Sequence, residues 1–131
     1  MASTREFSTG ANRDTADGKL EYLGFLCPLT LKRFAKYMHQ HRTLADGSVR
    51  DSDNWKKGMP LDVYHHSLLR HVMDVWLHYD DHGDAATEDL QDSLCAVIFN
   101  AQGLLRELLI SEDVLRRLQD SEGDYGPGRC S

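Results

Sequence analysis

Apolar residues recur at steps of three and four over two long stretches of the chain and one shorter one. Leu61, Tyr64, Leu68, Val72, Val75 and Tyr79 mark one face of a helix ending around residues 78–81, and Pro60 stands where a first helical residue is expected. Gly83 breaks that pattern. Leu90, Leu94, Val97, Ala101, Leu104, Leu105 and Leu108 then mark a second long helix ending near Leu109, with Asp84 or Thr87 placed to cap it. Earlier, Leu31, Phe34, Ala35 and Met38 predict a helix that opens after Pro28 and fades by His41. Ser111 is placed to cap a short last helix, Glu112 to Leu118. The fold class is therefore all-α. The link between the two long helices is only a few residues, so they are expected to pack as an antiparallel pair.

Between these elements the pattern lapses. Residues 1–18 are polar, carry Gly10 and Gly18, and read as a segment that is either flexible or ordered by a ligand. Leu20, Tyr22, Leu23, Phe25 and Leu26 form a short apolar run of unassigned structure, compatible with a helical turn. Residues 42–59 make a loop too long for a simple connector, with Trp55 as its one large aromatic; ordered loops of that length usually serve binding. Residues 119–131 hold three Gly and a Pro and read as a flexible tail. One domain, residues 19–118, remains.

A chain of 131 residues with 40% hydrophobic residues can bury a core, but a thin one, and oligomerisation is the expected remedy. A net charge of −6 opposes a phosphate backbone unless the 15 Lys and Arg gather on one face, and the sequence has no basic run; nucleic acid is not an expected partner. The N-terminus lacks an apolar run of signal length and no stretch approaches the ~20 apolar residues of a membrane span, so no membrane is expected and the location is read as cytoplasmic. Cys27, Cys95 and Cys130 are odd in number and widely spaced, which indicates neither a disulfide framework nor a thiolate zinc site. Cys95 falls on an apolar helix face and reads as core.

Candidate chemistry lies on the two long helices. On the first, His71 and His78 edge the apolar stripe, with Asp74 and Asp81 beside them, giving H-x-x-D twice. On the second, Asp89 and Asp92 are three apart in the first turns, with Asn100 on the flank. Carboxylates and imidazoles at i, i+3 on facing helices are how metal sites are built inside bundles, and an oxygen-rich set suits Mg²⁺ or Mn²⁺ better than zinc. Asp89 and Asp92 serve equally well as residues that complement a helix N-terminus, and a His on the edge of an apolar stripe is often only a hydrogen-bonded packing residue.

Three segments occur in a fixed order: RDTADGKLEY (Arg13 to Tyr22), DNWKKGMP (Asp53 to Pro60) and LLRH (Leu68 to His71). In this the chain resembles the phage dATP/dGTP diphosphohydrolase family, the MazZ-like branch related to the all-α MazG nucleotide pyrophosphohydrolases, over roughly residues 10–109. The resemblance implies a MazG-like helical bundle completed by oligomerisation, as a homo-dimer or homo-tetramer. It further implies hydrolysis of purine deoxynucleoside triphosphates, dGTP or dATP, to the monophosphate and pyrophosphate in phage nucleotide metabolism, in the host cytoplasm. MazG relatives carry E-x-x-E, a spacer and E-x-x-D; here His71-x-x-Asp74, fourteen residues, then Asp89-x-x-Asp92 stand at those places, departing at every position but the last. His71, Asp74, Asp89 and Asp92 are thus the implied metal and catalytic residues, with His78 and Asp81 as an alternative first pair. Arg13, Lys19 and Lys57 are candidates for phosphate contacts, Trp55 for stacking on the purine and Asn54 for a base edge. Each charge reads equally well as a solvated surface group, Trp55 as a hydrophobic plug and Asn54 as a turn residue.

Readings from other classes are a non-catalytic helical dimerisation module, with the His and Asp as its polar rim, and two further metalloenzymes. None of the seven His is followed by Asp, which speaks against an HD phosphohydrolase, and the Glu-x-x-His motifs of a di-iron bundle are absent.

Overall fold

The computed structural model describes residues 3–125, without the side chains of residues 122–125. The chain divides after Leu31 into two compact units, each described by itself. In the first, β1 (Thr4–Glu6) pairs antiparallel with β2 (Asn12–Asp14), Arg5 opposite Arg13. The sequence pattern gives no sign of a hairpin in residues 1–18, and the chain is mostly helical rather than wholly so. Alternation is absent from these polar strands; local bonds make the hairpin, the Phe7 amide donating to Ala11 O at 2.8 Å and the Gly10 amide to Phe7 O at 2.9 Å. The apolar run that follows makes a single helical turn, the Leu26 amide donating to Tyr22 O at 2.9 Å.

Helix α1 (Pro28–Gln40) starts on a proline, whose missing amide costs nothing in a first turn, and runs into the second unit. There α2 (Leu61–Tyr79) and α3 (Leu90–Tyr125) form the expected hairpin. Its antiparallel register is visible in its contacts: His78 meets Glu88, Tyr64 meets Phe99 and Gly103, and Gly58 meets Glu107. Helix α2 ends because Asp81 takes φ 59°, and the His82 amide then donates to Leu77 O at 2.8 Å, a C-terminal capping arrangement that satisfies a carbonyl the helix leaves open. Helix α3 starts at Leu90, and its cap is Asp89, whose carboxylate accepts from the Asp92 amide at 2.8 Å. Neither Asp84 nor Thr87 caps it.

No break separates α3 from the short helix expected at Glu112–Leu118. Nothing in Leu109–Ser111 stops a helix, and α3 continues through Tyr125, seven residues into the expected tail; residues 126–131, with Cys130, lie outside the described residues. At 1.5 Å per residue α3 is about 54 Å long against about 28 Å for α2. Leu90–Ser121 is also long and apolar enough to cross a membrane by length and composition alone, which the expectation of no such stretch had missed. The same helix supplies the buried residues Ser93, Cys95, Ala96 and Asn100.

The core is small and polar: Tyr37, Tyr64, Cys95 and Ala96, together with Asp74, Ser93 and Asn100. Much of the apolar pattern that predicted the helices points outward. On α2, Leu69, Val72, Met73, Trp76 and Tyr79 are exposed in one row, and on α3 so are Leu94, Ile98, Leu105, Leu108 and Leu115. Spacings of four, seven, three and seven along α3 fit a repeat of 3.5 residues, the period of a helix that packs along another helix.

Candidate functional site

The second unit holds a cleft of about 620 Å³ between α1, the 42–59 loop and the two hairpin helices. The loop is ordered by local chemistry. Thr43 bridges to Val49, Asp46 accepts from the Ser48 amide at 2.9 Å, and Gly47 takes φ 86°. This turn brings Arg42 beside Arg50: the Arg50 amide donates to Arg42 O at 2.9 Å and Arg42 Nε to Arg50 O at 2.7 Å. A short helix, Asn54–Lys57, then presents Trp55 edge-on to Phe99 at 6.0 Å between ring centres. Arg106 from α3 holds this piece in place, its guanidinium 5.4 Å from the Trp55 ring and its Nη1 donating to Lys56 O at 3.3 Å.

Charge and shape in the cleft differ from those of the whole chain. Arg42, Arg50 and Arg70 line it with His39, His41 and His71, against the single acid Asp51. Among the described residues none of the three arginines has an ion-pair partner. Aromatic walls are supplied by Trp55, Tyr64 and Phe99. An acidic protein therefore carries a local concentration of unspent positive charge beside flat apolar surface, which suits a ligand with an anionic end and an aromatic end.

Part of the cleft wall belongs to a polar cluster that periodicity gives no hint of. The buried Tyr37 hydroxyl donates to Glu88, 3.1 Å from each carboxylate oxygen. Burial, then the neighbouring Glu88 charge, pushes the Tyr37 pKa well above its ordinary value. His41 packs on the Tyr37 ring at 4.2 Å, its Nδ1 2.9 Å from Tyr37 O and its Nε2 3.9 Å from Glu88.

The four residues expected to hold a metal do not converge. Asp74 is buried and accepts from the Thr87 amide at 3.2 Å, Asp89 caps α3, and Asp92 pairs with Arg33 at 2.6 Å. Each carboxylate is thus engaged in holding the fold; only His71 faces the cleft. The alternative pair does no better: His78 Nε2 donates to Glu88 O at 2.8 Å and its ring covers Gly83, while Asp81 is the exposed residue that turns the chain at the end of α2. Among the described residues no three His, Cys, Asp or Glu are grouped as a metal site in one chain would require. Of the substrate candidates, Asn54 and Trp55 line the cleft, and Lys57 does not. Arg13 on β2 and Lys19 beyond it are exposed residues of the first unit.

Arg42, Arg50 and Arg70 were not picked out as binding residues, and Asn100 was read only as flanking the acids of the second long helix. Their positions are scattered, and only folding collects them. One signal was present: Asp46-Gly47 is a tight-turn pair, and a hairpin centred on it sets Arg42 against Arg50. No family model, curated protein or solved structure matches the chain.

Proposed function

We propose that the chain is an all-α, MazG-like nucleoside triphosphate pyrophosphohydrolase that cleaves purine deoxynucleoside triphosphates to the monophosphate and pyrophosphate. The observation that carries this reading is the cleft lined both by Arg42, Arg50 and Arg70, which have no ion-pair partner among the described residues, and by Trp55 and Phe99. Guanidinium groups bind phosphate oxygens two at a time, and a purine offers a flat apolar face to aromatic walls. Hydrolysis adds water across the α–β phosphoanhydride; the arginines offset negative charge on the polyphosphate as the bond breaks.

Mg²⁺ or Mn²⁺ is the ion proposed for this chemistry. Mg²⁺ is commonly held by one or two carboxylates together with substrate phosphates rather than by an all-protein cage, which is compatible with a cleft whose one acid is Asp51.

The test is incubation of the purified chain with each deoxynucleoside triphosphate and Mg²⁺ or Mn²⁺, products being resolved by chromatography. Monophosphate and pyrophosphate are expected from dATP or dGTP and are expected to be lost in folded Arg70→Gln. No turnover of any nucleotide would overturn the reading. Asp89→Ala and Asp92→Ala are poor probes, since a lost cap and a lost ion pair lower stability whatever the function.

The outward apolar rows on α2 and α3 favour a second reading, a helical dimerisation module, and are equally what an oligomeric enzyme needs. Ten such side chains of ~200 Å² each, about half exposed, present ~1,000 Å², comparable with the ~800 Å² per partner of a stable interface. A second copy is proposed to cover them. Light scattering is expected to give a dimer or tetramer of the 14.9 kDa chain, and Leu105→Glu with Leu108→Glu is expected to lower the mass. A wild-type monomer at micromolar concentration would contradict this.

A further inference from the structure

We infer that His71 and Asn100, on the floor of the cleft, read the base of the bound nucleotide by hydrogen bonds and set its base selectivity; this rests on the nucleotide reading above. His71 Nδ1 is buried without a hydrogen-bond partner among the described residues, which a native fold rarely leaves so unless a ligand or water completes it. Asn100, 5% exposed, lines the same cleft. Its Nδ2 donates to Ala96 O at 2.8 Å, and that carbonyl needs an N–H opposite it, so the amide is held in one orientation. Among the described residues the Asn100 carbonyl oxygen and second N–H have no further partner, which leaves the amide an acceptor and a donor.

The two residues stand close along the hairpin. Tyr64 packs on Gly103, and seven residues on along α2 and seven back along α3 bring His71 level with Ala96, one turn from Asn100. Around them the cleft is apolar, with Ala96, Phe99 and Tyr64, while the arginines that suit a polyphosphate come mainly from the loop. An amide with a paired donor and acceptor matches the edge of a nucleobase, as asparagine matches adenine in nucleic-acid recognition. Phosphates have no donor to offer it.

The test measures binding of dATP, dGTP, dCTP, dTTP and inorganic tripolyphosphate to the full chain by calorimetry, for wild type, Asn100→Leu and His71→Phe. Wild type is expected to separate the four nucleotides by about tenfold or more, as one base-edge contact allows. Each variant is expected to compress that spread to about threefold while its affinity for tripolyphosphate is unchanged, a pattern that a packing role alone would not produce. An unchanged spread in a folded variant overturns the inference and leaves the nucleotide reading standing, whereas failure of wild type to bind any nucleotide overturns both. Should both variants misfold, the His71 ring ¹⁵N resonances of wild type decide: a shift with the preferred nucleotide and none with tripolyphosphate supports base reading, and no shift with either overturns it.

Discussion

Gly103→Ala is expected to destabilise the hairpin by about 3 kcal/mol, at the upper end of what overpacking a core costs. A Cβ at position 103 would lie 2.2 Å from Tyr64 Cε1 and 2.5 Å from Cζ, closer than real side chains come. Tyr64 is 1% exposed and cannot swing into solvent. The sign is diagnostic, because in a free helix interior the same change is worth about 1 kcal/mol in favour of alanine. Denaturant titration measures it, and Tyr64→Leu combined with Gly103→Ala is expected to recover part of the loss, since the two sites are in contact. A stability within ~0.5 kcal/mol of wild type would mean that the ring and the α3 backbone do not meet as described.

The second large effect is on binding. Changing Arg42, Arg50 and Arg70 together to Gln is expected to weaken triphosphate binding by about a thousandfold, roughly tenfold for each charge-assisted contact. The fold is expected to survive: among the described residues no ion pair is broken, and the one side-chain bond lost is Arg42 Nε to Arg50 O. Wild-type affinity is expected to fall as salt rises, and that of the triple variant much less, because exposed charges are screened within about 10 Å at 0.1 M. Calorimetry at two salt concentrations separates these outcomes from a general loss of structure.

Periodicity located α1 and α2 closely, the start of α3 and the antiparallel pairing, because the 3.6-residue repeat is a strong local signal. It did not say which neighbour an apolar face meets. Val72 and Tyr79, on the apolar face that marked α2, are exposed, while Ser93 is buried, since a helix crossing at close range needs small residues and Tyr64 needs Gly103. The same ambiguity governed the acids. Asp74 and Asp92 have the spacing of metal ligands, yet one amide and one guanidinium, distant in sequence, take them up. Trp55 and Asn54 were legible because a long loop with one aromatic invites a binding role. The arginine cluster was not, because it depends on a turn, a loop and a helix face meeting at one place.

Trp55 lines the cleft, and the other tryptophan, Trp76, lies exposed on the outward row of α2. A Trp76→Phe chain therefore reports the cleft alone through its fluorescence. Titrated with dATP and dGTP in the presence of Mg²⁺, it is expected to show saturable quenching that disappears when Arg42, Arg50 and Arg70 are changed to Gln. Flat fluorescence with both nucleotides, and a melting temperature unmoved by either, would contradict the nucleotide cleft.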